Sequence, residues 1–273
     1  MLEQLKEILI AIVLGAVQGL TEFLPISSTV HVGIASKLFG GDLGIYATNL
    51  ISLGTTVALI QYFWKDIKDF FSTLFRSPQW YQLALATLPI VTASLLLSDK
   101  IDGIFRNIRY FGIFLLVGAV FLALAEWYYK QKQILSTTLT TRDYSIIGVF
   151  QALAIFPGMS RSGSTLAGGL FTLKNRASII HASFWLSVPA FLLASIYSVY
   201  KLVKTPYPPQ LLNSITTVSN LSWVSIIAGA VAAYIVGIHS LKWLIPFLTK
   251  HTSAVFIVYR IILGLLLIVI SFR

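Results

Sequence analysis

The chain has 273 residues, 56% of them hydrophobic and only 11% charged, with a mean hydropathy of +0.82. A soluble domain carries about 25% charged residues, so this composition excludes a water-soluble globule and calls for an all-α polytopic membrane protein. The formal net charge is +10, but the lysines and arginines are spread over short loops between apolar runs, which argues against a nucleic-acid surface and gives them a topological role. Cysteine is absent, which removes disulfides, thiolate catalysis and cysteine metal sites.

The first seven residues include Glu3 and Glu7, and no small-residue cleavage site follows the apolar run, so a removable signal peptide is not expected. The run at 8–25 is short and interrupted by Gln18, Glu22 and Pro25. Runs at about 43–64, 111–130, 178–200, 223–247 and 253–271 have the roughly 17 to 25 residues needed to cross a bilayer. A run at 83–97 is short, and one at 145–156 leads straight into a polar motif, giving about six to eight spanning helices in all. Lys65, Lys68 and Arg76 mark one candidate cytoplasmic loop, and Lys130, Lys132 and Arg142 another. The loop with Lys100, Arg106 and Arg109 also holds Asp99 and Asp102, so the orientation stays open.

An internal similarity organises these runs. Gly15 to Leu20 (GAVQGL) reads like Gly148 to Leu153 (GVFQAL), an offset of 133 from position 15 to 148. The same offset carries Phe23 onto Phe156 and Ser27 onto Ser160, with Pro25 and Pro157 between them. Both copies are short apolar segments ending in proline and hydroxyls. Interrupted hydrophobic segments at matching places in two halves point to the binding site of a repeat-built membrane protein. Non-helical backbone at membrane depth survives only where it is buried in protein or lines a wet cavity. The expectation is therefore a single membrane domain, 1–273, of two repeats, about 8–130 and about 145–272, each with a re-entrant helical segment. Three spanning runs between the motifs turn the second copy upside down, so the two motifs can meet tip to tip near the middle of the protein.

The motifs carry the chemistry. In the first, Gln18 and Glu22 are four apart and share a helix face; after Pro25 a new helix can start with Ser27 or Ser28 as its N-cap and His31 one turn on. A carboxylate, serines and an imidazole together are the inventory for activating a nucleophile. The second motif, Phe156 to Thr165 (FPGMSRSGST), places a cation and hydroxyls in an apolar protein. Arg161 offers a planar fork for phosphate oxygens, Gly158 permits close approach of backbone to ligand, and Ser160, Ser162 and Thr165 supply hydroxyls at a helix start. The ligand expected there is a diphosphate. Glu22, Ser28, His31 and Arg161 are the candidate catalytic residues, and Gln18, Ser27, Gly158, Ser160, Ser162 and Thr165 the candidate substrate contacts. Either Ser28, activated by His31, or His31 itself can be the nucleophile. His181, His239 and His251 lack such company and are read as packing or loop residues. Inverted repeats with broken helices also occur in secondary transporters, so a lipid flippase or transporter is the alternative reading.

On these residues the chain resembles the undecaprenyl pyrophosphate phosphatases of the bacitracin-resistance type, the BacA or UppP family. Gln18, Glu22, Phe23, Leu24, Pro25, Ser27, Ser28 and His31 match the family's first motif, and Pro157, Gly158, Ser160, Arg161, Ser162 and Thr165 its second. Further similarity runs through Ala182 to Pro189 and Tyr259 to Gly264. Two departures are Val30, where the family commonly has glycine, and Ser52, where it commonly has glutamine. The resemblance implies hydrolysis of undecaprenyl diphosphate to the monophosphate and phosphate in the bacterial inner membrane, recycling the lipid carrier of cell-wall synthesis. It also implies homodimers and a divalent cation, magnesium or calcium, assisting the diphosphate. Glu22 is the obvious anionic ligand for such an ion, which would be held chiefly by substrate oxygens and water.

Overall fold

Helices follow one another through the residues that a computed structural model describes, 2–41, 45–74, 76–104, 107–134, 136–204 and 221–272. They are α1 (Leu2–Thr21), α2 (Ser28–Leu38), α3 (Ile45–Tyr62), α4 (Trp64–Ser72), α5 (Gln79–Ile104), α6 (Ile108–Gln131), α7 (Thr141–Ala152), α8 (Arg161–Phe171), α9 (Arg176–Trp185), α10 (Ser187–Lys204), α11 (Trp223–Lys250) and α12 (Ala254–Ile270). Among the described residues only an isolated bridge between Ser136 and Lys174 is strand-like, so the fold is all-α. Arg106 and the side chains of Asp99, Lys100 and Asp102 lie outside the described residues.

Five stretches are long and apolar enough to cross a membrane: Leu2–Thr21, Gln79–Leu97, Ile108–Gln131, Arg176–Tyr200 and Trp223–Lys250, with Ala254–Ile270 a shorter apolar helix. The run at 8–25, read as interrupted, is an unbroken helix to Thr21 because Gln18 stays within the helical ladder and the break waits for Pro25. The short run at 83–97 lies inside the 26-residue α5, which tolerates Pro89. Conversely, the run at 178–200 is divided at Leu186. Pro189 explains the division: its ring would meet the carbonyl of Trp185 and it has no N–H to donate, so it fits the first turn of a new helix and not the interior of an old one.

The chain forms two compact units. One comprises Met1–Phe23, Ser28–Trp64 and Phe191–Lys242. Within it α1 and α11 approach so closely that a Cβ on Gly15 would overlap the Gly229 carbonyl, and one on Gly19 the Ala233 carbonyl. Small residues let helix backbones pack where lipid supplies no hydrophobic drive between them. Ala11, Leu50, Ile51, Leu221, Ile226 and Ala233 form its core, and Ser240 donates to the Leu20 carbonyl (3.1 Å). Of the two departures from the family pattern, Val30 is wholly buried in α2, and Ser52 donates to the Asn49 carbonyl of its own helix (2.7 Å).

The other unit comprises Leu24–Ser27, Lys65–Ala190 and Trp243–Arg273. Here α5 meets α7 where Gly148 faces the Ala86 backbone, and α6 meets α12 at Gly112 and Gly264. A capping box of Thr140 and Asp143 starts α7. Glu126, buried in α6, receives both ends of the Arg176 fork (2.7 and 3.0 Å) and the Ser253 N–H (2.7 Å), while Arg176 Nε donates to the Leu248 carbonyl (2.6 Å). That bidentate pair satisfies both charges and ties α6, α9, α11 and α12 together.

The helices after the two motifs are alike in length and place. α2 and α8 each have 11 residues, and both ends are related by the offset of 133. At about 1.5 Å per residue neither reaches across a hydrocarbon core of about 30 Å.

Candidate active site

The first motif is built by the way α1 ends. The Glu22 N–H still bonds the Gln18 carbonyl (2.9 Å), so Glu22 sits one helical turn beyond Gln18 on the same face. Pro25 cannot continue the helix, and the chain turns sharply, with the Ile26 N–H bonding the Leu24 carbonyl (2.7 Å). Ser27 then takes a left-handed conformation (φ 73°), and α2 begins at Ser28. One carboxylate oxygen, Glu22 Oε2, accepts from both Gln18 Nε2 (2.7 Å) and Ser28 Oγ (2.5 Å). An O–H···O⁻ contact of that length is charge-assisted and strong. Glu22 thus meets the Ser28 hydroxyl directly. Gln18 and Ser27 are buried, Glu22, Ser28 and His31 half-buried, and His31 lies one turn along α2 from Ser28.

The second motif follows the same plan with different chemistry. α7 ends at Ala152, a 3-10 turn covers Leu153–Ile155, and Phe156 stacks on Phe114 (centroids 4.9 Å apart). Gly158 has φ 110° and its α-carbon lies so close to α6 that a Cβ would meet the Phe111 carbonyl at 2.8 Å, so only glycine fits. Ser160, also left-handed (φ 65°), caps α8 by accepting from the Gly163 N–H (3.3 Å). Thus Ser27 and Ser160, partners under the offset, share a positive φ that non-glycine residues seldom adopt and that costs about 1–3 kcal/mol. Ser162 donates to the Leu24 carbonyl (3.0 Å) and lies 3.2 Å from the Ser160 hydroxyl. The motif loops therefore touch within this unit.

The hydroxyls expected to bind substrate are not equally disposed. Thr165 is wholly buried and donates to the carbonyls of Arg161 (3.0 Å) and Ser162 (3.2 Å), so it braces the first turn of α8. Ser160 is buried and occupied with capping. Arg161 and Ser162 are half-buried. The remaining histidines have other partners: His181 pairs with Asp66 at an exposed position (2.9 Å), His239 bonds the Ile235 carbonyl of its own helix, and His251, just past the end of α11, bonds the Phe247 carbonyl.

Motif reasoning passed over Arg260. Placed in the middle of α12, it is wholly buried, and its guanidinium donates to main-chain carbonyls of both motif loops: Pro25 (3.0 Å) from the first, Gly158 (3.1 Å) and Met159 (2.9 Å) from the second. It also bonds the Leu115 carbonyl of α6 (3.2 Å), with a weaker contact to Phe114 (3.4 Å). The signal was present in the sequence, since a lone arginine inside an apolar run is costly and marks function by default. For a metal, no three His, Asp or Glu side chains gather among the described residues.

The fold is that of a multi-pass membrane protein, with its two sequence motifs on loops between helices. The chain belongs to the family described as bacitracin resistance protein BacA, whose model matches residues 11–266. It is 36% identical to a protein named undecaprenyl-diphosphatase from Chlorobium phaeovibrioides, over 95% of each chain. It is 38% identical to one so named from Myxococcus xanthus, over 95% of this chain and 88% of that one. A third, from Mycolicibacterium vanbaalenii, is 34% identical over 95% of each chain.

Proposed function

We propose that this chain hydrolyses undecaprenyl diphosphate to undecaprenyl phosphate and inorganic phosphate, recycling the lipid carrier of cell-wall synthesis in the bacterial inner membrane. The carrying observation is the hydrogen bond from Ser28 to Glu22: in a chain similar along nearly its full length to undecaprenyl-diphosphatases, it joins a hydroxyl nucleophile to a carboxylate base. In this reading Ser28 Oγ attacks the terminal phosphorus as its proton passes to Glu22, and the P–O bond to the lipid phosphate breaks. Water then attacks the seryl phosphate with His31 as its base, phosphate leaves, and Ser28 regains a proton from Glu22.

Arg161 binds the terminal phosphate through its fork and stabilises the charge that develops on it. Gln18 orients Glu22; Ser27 and Gly158 shape the loops; Ser160 and Thr165 hold the start of α8, and Ser162 sits beside Arg161 as a further phosphate contact. A magnesium or calcium ion would be held by diphosphate oxygens, water and Glu22, supplying charge neutralisation. The equal lengths of α2 and α8 and their matched left-handed serines support two repeats with re-entrant segments. By the resemblance, the assembly is a homodimer.

Purified protein in detergent, with no second compartment, should release phosphate from undecaprenyl diphosphate. Transport of the lipid across vesicles without phosphate release would replace hydrolysis with the flippase reading.

A further inference from the structure

We propose that Arg260 is a positioning residue that fastens the two motif loops to each other; the inference rests on those loops carrying the phosphatase site. Its donors reach Pro25 on one loop and Gly158 and Met159 on the other, with the Leu115 carbonyl of α6 as an anchor. Each of these loops contains a left-handed serine next to a residue of the proposed chemistry: Ser27 precedes Ser28, and Ser160 precedes Arg161. Such a backbone persists only where its surroundings over-determine it. The loops are also tied through the Leu24 carbonyl, which accepts from Ser162 (3.0 Å) and, more weakly, from Ser160 (3.5 Å).

A guanidinium suits this task because its donors lie in one plane at fixed angles and can serve several carbonyls at once, whereas an ammonium is a single point. The pocket is shaped to the fork. A Cβ on Gly118 would overlap Nη2, and one on Gly163 would come within 2.8 Å of Nη1. Nothing in this arrangement requires Arg260 to touch substrate, which distinguishes it from Arg161.

The test uses two full-length variants in detergent. Arg260→Lys keeps the charge and loses the fork; Gly118→Ala keeps the arginine and displaces it. In both, amide hydrogen exchange should rise at 24–27 and 158–163 while α1 and α11 keep their protection. The turnover number per folded molecule should fall about tenfold or more, as expected when reacting groups lose their alignment. If Arg260→Lys does not fold, Gly118→Ala alone decides. Exchange equal to wild type at both loops, a rise spread over all helices, or loosened loops with unchanged turnover would each overturn the proposal. Should wild-type protein release no phosphate from undecaprenyl diphosphate, the functional reading fails, and the exchange comparison still decides whether Arg260 fastens the loops.

Discussion

Glu22→Gln is the most informative substitution because it changes almost nothing but the ability to hold a proton. Glu22 Oε2 takes two hydrogen bonds, from Gln18 Nε2 and Ser28 Oγ. The amide oxygen of glutamine can accept both, so shape and connectivity survive. What is lost is charge assistance: bonds of about 1.5–3 kcal/mol become neutral ones of about 0.5–1.5 kcal/mol. The half-buried site also no longer holds a carboxylate away from bulk water, which offsets part of that loss, leaving a stability change of about 1 kcal/mol. The kinetic effect is far larger. An amide cannot accept the Ser28 proton, and general-base catalysis contributes about 10² to 10⁴ in rate, or about 3–5 kcal/mol of barrier. Phosphate release at saturating undecaprenyl diphosphate should therefore fall at least about 100-fold, with KM changed by much less and the thermal midpoint nearly preserved. A Glu22→Gln enzyme with a near-normal maximal rate and weakened binding would refute the role of base.

Rapid acid quench with substrate labelled in the terminal phosphate should leave acid-stable label on Ser28; acid-labile label on His31 would make the imidazole the nucleophile, and no label with inversion at phosphorus would point to direct attack by water. Arg161→Lys retains the charge but not the bidentate geometry, so turnover should drop about tenfold or more, measured by phosphate release from folded protein. Glu126→Gln leaves Arg176 without its buried partner; denaturation should show a loss of about 3–5 kcal/mol, while turnover per folded molecule stays near wild type.

What could be read from the sequence was local. The i, i+4 spacing puts Gln18 against Glu22, Pro25 ends the first helix, and α2 starts at Ser28 as expected for a helix begun after a proline. The second motif was likewise expected to sit at a helix start, which falls at Arg161, but the role of Ser160 as its cap was not read from the sequence. The direct bond between Glu22 and Ser28 was not legible, because it depends on how the five intervening residues fold back. Contacts at long separation left still less trace. Arg176 and Glu126 are 50 positions apart, and Arg260 finds its carbonyls 101 to 235 positions away. Main-chain acceptors carry no side-chain signature, so even a conspicuous arginine does not announce what it binds. The 8–25 run shows the opposite hazard: of the three residues read as breaks, Gln18 lies inside α1 and only decorates one face of it, while Glu22 and Pro25 do fall beyond its end at Thr21.

The carbonyls gathered on Arg260 have a further effect on the loops they belong to. In a trans peptide the C=O and N–H point in opposite directions, so a carbonyl drawn toward the guanidinium turns its partner N–H outward. Two of those amides are used at once, Ile26 toward Leu24 and Met159 toward Phe156, which locks the turns. The sealed-in cation is thus met by main-chain carbonyl dipoles, and the two turns that supply them are held from both sides of their peptide planes.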